Sequence, residues 1–331
     1  MDKVLTISVA AYNVAAFIRN TLDSLVVKEI MDDLEVFVVD DGGTDETLSV
    51  AREYEKQYPD TFHAVHKENG GYGSTVNYSL AHATGKYFKL LDGDDWYQSQ
   101  GLCELVKIMK ASDADVIVTN YLEGPGEGRM HIYDYFAKEG PGVKPLAGFV
   151  PKEHFGMWPM AVKTEVMRAS GIVFPEKMLY TDQFMCTIPF AVARTIEFVN
   201  VNVYCYRTER DGQSMSVSSR IKHYKEAVSH CVTLTKFCAK CQGNPNYPFI
   251  VRRVGAYHCG AINTMMLKPI NLANLREIKA HEKMIRGISE DVYQAAVMAG
   301  RTGKLIAMCR KLGYLPYWLL PIWKKLNGQA G

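Results

Sequence analysis

The chain has 331 residues, with 38 Lys+Arg against 36 Asp+Glu and a formal charge of +2. Hydrophobic residues at 47% and charged residues at 22% exclude a disordered or fibrous chain, and the length suits about two domains at roughly 100–200 residues each. Residues 1–100 carry a balance of −9, which excludes a nucleic-acid binder because phosphate contacts need a basic face.

Val4–Ala10 is a short β-branched run without a helical stripe, so it reads as a buried first strand; Asp2, Thr6 and Ser8 spoil a signal peptide. Asn13 is placed to cap the helix that follows. Leu34–Val39 is a second strand ending at Asp40-Asp41, and Thr44 is placed to cap the next helix after the Gly42-Gly43 turn. Phe62–His66 reads as a third strand, Ser74–Ala83 as a helix, and Tyr87–Leu91 as a fourth strand ending at Asp92. A helix (Leu102–Met109), a strand (Asp115–Asn120), a Gly/Pro-rich loop (139–157) and an extended segment (Ile196–Tyr206) follow. Beyond Ile221 the pattern turns helical, and the boundary is expected near 222.

Strands alternating with helices over short links predict βαβ units, hence an α/β domain with a mainly parallel sheet flanked by helices. Ligands bind beyond the carboxyl ends of such strands. There the sequence sets Tyr12-Asn13, Asp40-Asp41, Asn69-Gly70-Gly71 and Asp92-Gly93-Asp94-Asp95, a polar and acidic rim. Two carboxylates one residue apart at a strand exit can reach one hard divalent ion, Mg²⁺ or Mn²⁺. An acid after the second strand can bind a ribose hydroxyl or a base edge. The glycine-rich dinucleotide fingerprint and the P-loop lysine are both missing, which removes dehydrogenases and P-loop NTPases.

The eight cysteines are scattered and form no disulfide framework, as expected for a reducing cytoplasm. Cys238-Ala-Lys-Cys241 is a lone CxxC inside a segment, 223–242, that reads as one helix; buried helix cysteines suit it better than zinc. After Asp291 no acid remains, and Leu312–Asn327 joins Trp and Tyr to flanking lysines. Two prolines forbid a spanning helix, but the composition suits peripheral contact with an anionic membrane; docking on the helical region or on a second copy is the alternative.

Ser8-Val9-Ala10-Ala11-Tyr12-Asn13, Val38-Val39-Asp40-Asp41-Gly42-Gly43, Glu68-Asn69-Gly70-Gly71 and Leu91-Asp92-Gly93-Asp94-Asp95-Trp96 together resemble family 2 glycosyltransferases. Tyr180-Thr181-Asp182-Gln183-Phe184 is similar to that family's catalytic segment. Val203-Tyr204-Cys205-Tyr206-Arg207, followed by Gln213-Ser214-Met215-Ser216, is similar to its late signature. The resemblance covers about residues 4–220. It implies a GT-A (Rossmann-like) domain at 1–222, with a nucleotide-sugar-binding half (1–97) and an acceptor half (98–222), and a helical region at 223–331. It implies an inverting, hexosyltransferase-type enzyme that takes a nucleotide-diphosphate sugar, UDP-linked by preference, with Mn²⁺ or Mg²⁺.

By the same resemblance Asp182 is the general base, and Asp92 and Asp94 hold the metal. Ala10, Tyr12, Asn13, Asp40, Asp41, Gly70, Gly71, Asn77, Asp92 and Gly93 line the nucleotide sugar, with Tyr12 and Asp41 on the nucleoside and Asp40 supporting its strand end. Trp96, His154, Trp158 and Arg207 are candidates for acceptor or diphosphate contacts. The expected partners are a nucleotide sugar and a glycan or lipid-linked acceptor, with no nucleic acid. The expected location is the cytoplasm, at the inner face of the membrane, with a homo-oligomer open. Ala11, Val76 and Thr181 depart from the family pattern at a proline, an arginine and an acid. Glu176 and Glu165 stay open as second carboxylates, and Asp182 also reads as a helix cap. A sugar-phosphate nucleotidylyltransferase and a silent nucleotide-sugar-binding scaffold are the alternative functions.

Overall fold

In a computed structural model, which describes residues 3–126, 128–208 and 213–319, the chain divides into two compact units, 1–211 and 212–331. The division falls ahead of the expected 222, because the short helix Val217–Lys222 groups with the helices that follow it.

In the first unit, β1 (Leu5–Ala11) lies between β2 (Leu34–Asp40) and β4 (Tyr87–Asp92), and β3 (Phe62–His66) flanks β2; all these pairings are parallel. Helices 15–23, 47–57 and 72–82 link these strands. β1 is buried along nearly its whole length, as a strand covered on both faces must be. Its polar residues have partners: Thr6 donates to Glu35 at 2.6 Å and Ser8 to Ser79 at 2.8 Å.

The sheet continues through β5 (Trp96–Tyr97), β6 (Val116–Gly124), β7 (His131–Tyr133), β8 (Val143–Pro145), β9 (Met160–Lys163) and β10 (Thr195–Arg207). Its main order is β3-β2-β1-β4-β9-β6-β10-β5, with β7 on β6 and β8 on β10. β9 runs antiparallel to both β4 and β6. The half beyond β4 is therefore mixed. β9 has only four residues, too few for the sequence pattern to separate it from the preceding loop.

The parallel register aligns the strand ends. Ala11 pairs with Asp40, Ala10 with Asp92, and Asp40 with His66, so the acids that close β2 and β4 flank the end of β1. That row is the floor of the candidate site.

The second unit is helical, with its longest helices at Tyr224–Lys240, Tyr247–Leu267 and Leu272–Ile288. No helix of the described residues is long and apolar enough to cross a membrane. Its core gathers Ile262, Met265, Ile278, Ile306 and Cys309 with Tyr314 and Tyr317 from the tail. The tail is thus partly core. Tyr314 and Tyr317 are buried, while Leu315, Trp318 and Leu319 are exposed; residues 320–331, Trp323 among them, lie outside the described residues. Tyr317 goes inward because Asn274 Nδ2 donates to its hydroxyl at 3.1 Å, satisfying the phenol. All eight cysteines are free.

Candidate active site

Asp92, Asp94 and Asp95 leave β4 in a tight turn in which the Asp95 amide donates to the Asp92 carbonyl at 3.0 Å. One carboxylate oxygen from each lies within 4.8 Å of the others, a spacing suited to one hard cation. Asp95 is 1% exposed. Burial and the neighbouring Asp92 and Asp94 charges push its carboxyl well above the usual range, so the turn stores like-charge repulsion that a cation would relieve. The expected metal pair is therefore part of an acidic triad. Within it Asp95 accepts from Tyr204 Oη at 2.7 Å and from the Arg207 amide at 2.8 Å.

Arg207 straps this turn. Its Nε donates to the Asp94 carbonyl at 2.9 Å and its Nη2 to Asn20 Oδ1 at 3.0 Å. The guanidinium also lies over the Trp96 ring at 4.6 Å and the Phe17 ring at 5.3 Å. Trp96 and Arg207 thus act on each other, and Arg207 shapes the acidic turn as well as facing it. Gly93 lets the turn close on β1: its amide donates to the Ala10 carbonyl at 3.0 Å, and a Cβ there would press on that oxygen.

The second rim segment is organised around Asp41, 3% exposed. Its Oδ1 accepts from the Gly70 amide and Lys67 Nζ, both at 2.9 Å, and its Oδ2 from the Gly71 amide at 2.7 Å. Asp40 accepts from the Gly43 amide at 3.2 Å and meets His66 Nδ1 at 2.6 Å. Both acids therefore hold loops: Asp41 shapes the Gly70-Gly71 loop and Asp40 the strand end. Tyr12 projects beside them, 53% exposed. Asn13 takes a positive φ of 52° and accepts from the Thr44 amide at 2.8 Å. Neither Asn13 nor Thr44 caps a helix as expected. The helix after β1 is held from the neighbouring loop, where Asp45 accepts from Ala15 N and Thr47 from Val14 N, each at 2.9 Å.

Gly71, at φ 80°, opens the helix Tyr72–His82, and a Cβ on Gly73 would collide with the Pro175 carbonyl. These glycines let the helix meet the loop 171–181 closely. Asn77 reads that loop's backbone: its Oδ1 accepts from Phe174 N and its Nδ2 donates to Phe174 O, both at 2.9 Å. Tyr72, which the motif reading missed, is the bridge. Burial, then the Asp92 and Asp182 charges, push its phenol well above the ordinary value, so it lies in the field of both carboxylates. Its hydroxyl also donates to Met157 Sδ at 3.3 Å. Only its position between two glycines at a helix start could have marked it.

Asp182 is the first residue of the short helix Asp182–Met185, whose cap residue is Thr181. The cap position is thus Thr181, whose side chain makes no cap hydrogen bond, and Asp182 stands one residue inside the helix rather than at its cap. Gln183 Nε2 donates to Asp182 Oδ2 at 2.8 Å. Tyr180, just before, sits at φ 62°, an uncommon conformation for a bulky residue and one that clusters at functional sites. Glu165 is removed as a second carboxylate. It follows Lys163, which pairs with Tyr87 at the amino end of β4, so it lies at the edge opposite the acidic triad. Glu176 is exposed and accepts from Asn77 at 3.3 Å.

Trp158 stacks between Tyr121 and Tyr206, at 5.3 and 4.8 Å between centroids, and its buried Nε1 has no hydrogen-bond partner among the described residues. His154 is half-buried, and its carbonyl accepts from Tyr135 Oη at 3.3 Å.

Residues 6–159 match the sequence model described as glycosyl transferase family 2. These residues therefore carry the sequence pattern of that family. Over 249 residues the chain is 25% identical to a Mycoplasma pneumoniae glycosyltransferase, the MG060 homolog, covering 71% of this chain and 79% of that one. It is 25% identical to the Staphylococcus aureus poly(ribitol-phosphate) β-N-acetylglucosaminyltransferase TarS over 64% of this chain but only 36% of TarS. A crystal structure of TarS residues 1–349 with UDP-GlcNAc superposes at TM-score 0.57 and 19% identity, covering 88% of this chain and 92% of that one. The mannosyltransferase PcManGT of Pyrobaculum calidifontis, in complex with GDP-Man and Mn²⁺, superposes at 0.52 and 19%, covering 99% and 85%. These likenesses show the GT-A fold for this chain.

Proposed function

We propose that this glycosyltransferase moves a sugar from a UDP-linked donor to a hydroxyl of a glycan or lipid-linked acceptor, inverting the anomeric centre. The observation that carries the reading is the cluster of Asp92, Asp94 and Asp95 at the carboxyl end of β4, with Asp92 and Asp182 both acting electrostatically on the Tyr72 phenol. The TarS complex with UDP-GlcNAc supports the donor class, and the PcManGT complex with Mn²⁺ supports the ion. The triad fits such an ion because its three crowded carboxylates repel one another. Asp92 and Asp94 would hold it, and bound there it would offset the charge growing on the departing diphosphate.

The chain's own residues do the rest. Asp41 fixes the Gly70-Gly71 loop and Asp40 the end of β2, which leaves exposed Tyr12 to pack on the nucleoside. Asp182 takes the proton from the acceptor hydroxyl as it attacks C1. Attack from the face opposite the leaving group gives inversion in one displacement. Trp158 offers an unspent N–H to an acceptor hydroxyl. Exposed Leu315, Trp318 and Leu319 beside a basic tail support a peripheral membrane location for a lipid-linked acceptor.

A thermal-shift panel of UDP-, GDP- and other nucleotide sugars, with and without Mn²⁺, tests the reading. A UDP-sugar that raises the melting temperature only with Mn²⁺ is the expected result. Stabilisation by no nucleotide sugar would overturn it.

A further inference from the structure

Three helices of the second unit each turn one metal-ligand side chain into its interior. Cys231 comes from Tyr224–Lys240, His258 from Tyr247–Leu267 and His281 from Leu272–Ile288. Their exposures are 0%, 0% and 4%. One ligand-type atom from each lies within 4.8 Å of the other two.

The hydrogen bonding of this cluster is incomplete. Neither ring nitrogen of His281 has a hydrogen-bond partner among the described residues, and neither does His258 Nε2. A buried polar group left unsatisfied is destabilising, and here two imidazoles share that position. A thiol–imidazole hydrogen bond between Cys231 and His258 would account for those two residues, but it leaves His281 unexplained.

Distances favour a cation. Cys231 Sγ and His258 Nδ1 are 3.7 Å apart. With Zn–S near 2.3 Å and Zn–N near 2.0–2.1 Å, a sulfur and a nitrogen on one tetrahedral zinc sit about 3.6 Å apart. The ring of His281 stands 5.0 Å from that of His258, tilted by 62°. The supporting shell is also in place. His258 Nε2 faces Glu282 Oε1 at 3.8 Å, and Arg310 holds that oxygen with Nε at 2.9 Å and Nη2 at 2.6 Å. A histidine that ligates through one nitrogen and turns the other toward a carboxylate is the usual orienting arrangement at zinc.

The geometry points to a structural zinc site in the helical unit, formed by Cys231, His258 and His281 and separate from the acidic triad of the first unit. Thiolate with imidazole selects zinc over the oxygen-seeking Mn²⁺ and Mg²⁺. The ion would tie three helices through their interior, and Glu282 with Arg310 would orient His258. The ligands come from three separate helices at no motif spacing, so no local pattern marks them, and the one CxxC, Cys238-Ala-Lys-Cys241, reads as buried helix cysteines.

The test uses the full chain, reduced and stripped with a chelator, then titrated with Co²⁺ as a spectroscopic probe for zinc. One equivalent is expected to give tetrahedral cobalt bands with a thiolate-to-cobalt charge-transfer band, all removed by Zn²⁺. Oxygen ligation at Asp92 and Asp94 cannot give the thiolate band. Cys231→Ser should abolish it and Cys238→Ser should leave it. His281→Gln should weaken zinc binding by more than the roughly 10–100-fold that loss of an outer-shell partner costs. No thiolate band in the wild-type chain, or a band that survives Cys231→Ser, would overturn the site. So would wild-type zinc affinity in His281→Gln; if that variant does not fold, the wild-type and Cys231→Ser spectra decide.

Discussion

Tyr204 and Asp95 are 109 residues apart in sequence, and the Tyr204 hydroxyl donates to Asp95 Oδ2 at 2.7 Å. The Tyr204 hydroxyl oxygen in turn accepts from the Asp92 amide at 3.2 Å. One phenol on β10 therefore ties together both ends of the acidic turn that leaves β4. Tyr204→Phe removes that tie with little change of shape. Stranding a buried polar partner costs about 1–3 kcal/mol, and thermal melts should show that loss. UDP affinity in the presence of Mn²⁺ should fall as well, because the turn is less fixed; calorimetry on the variant checks it.

Asp94→Ala should weaken Mn²⁺-dependent UDP binding sharply, since it removes one of the carboxylates expected to hold the ion. Melting temperature without ligand should hold or rise, because like-charge repulsion in the triad drops. Unchanged UDP affinity with and without Mn²⁺ would count against the metal assignment.

Asp182→Asn keeps shape and hydrogen bonding but removes the proton acceptor. UDP-sugar affinity should stay near normal while the transfer rate falls by at least about 10²-fold, the lower range for loss of general-base help. With Asp182 inside the helix rather than at its cap and Glu165 at the opposite sheet edge, a fully active variant would turn attention to Glu176.

Lys89 supplies a pH signature. It is fully buried, donates to the carbonyls of Trp158 at 2.5 Å and Met160 at 3.2 Å, and burial pushes its ammonium down to about 7. The unfolded chain holds this proton up to about 10.5, so above about pH 7 it binds more protons than the folded chain. Stability from this group is therefore full above the unfolded value and is lost as pH falls through the folded one. Between pH 7 and 9 wild type should gain about 2 kcal/mol relative to Lys89→Met. Denaturant melts of both proteins across that range check the slope, which a constant packing difference cannot mimic.

The tail prediction changes once Tyr317 is seen in the core. Tyr317→Ala should cost about 3–5 kcal/mol, as for other large aromatic truncations. Deleting 312–331 should therefore destabilise the helical unit as well as change vesicle binding. Leu315→Ala together with Leu319→Ala removes the more exposed apolar side chains and spares Trp318, which packs edge-on against Tyr317, so vesicle flotation of that double variant reads the membrane contact.

The sequence by itself determined the parallel half of the sheet and the acidic rim. Val4–Ala10 and Leu34–Val39 announce buried strands and Phe62–His66 a short third strand through local composition, and the rim residues after them sit at fixed chain positions. Local signals of this kind survive folding because each depends on neighbours a few residues away. Tertiary structure decided what those residues do. Asp41, expected at the nucleoside, also holds the amides of Gly70 and Gly71, a pairing between two strand ends that no local pattern encodes. Arg207 and Tyr204 reach the triad only because β10 pairs with β5. Tyr72 gained its place between Asp92 and Asp182 through a helix packed on a distant loop, and Cys231, His258 and His281 met only when three helices closed. In every such case the deciding term is desolvation: burial forces each polar group to find a partner, and the partner available depends on the whole fold.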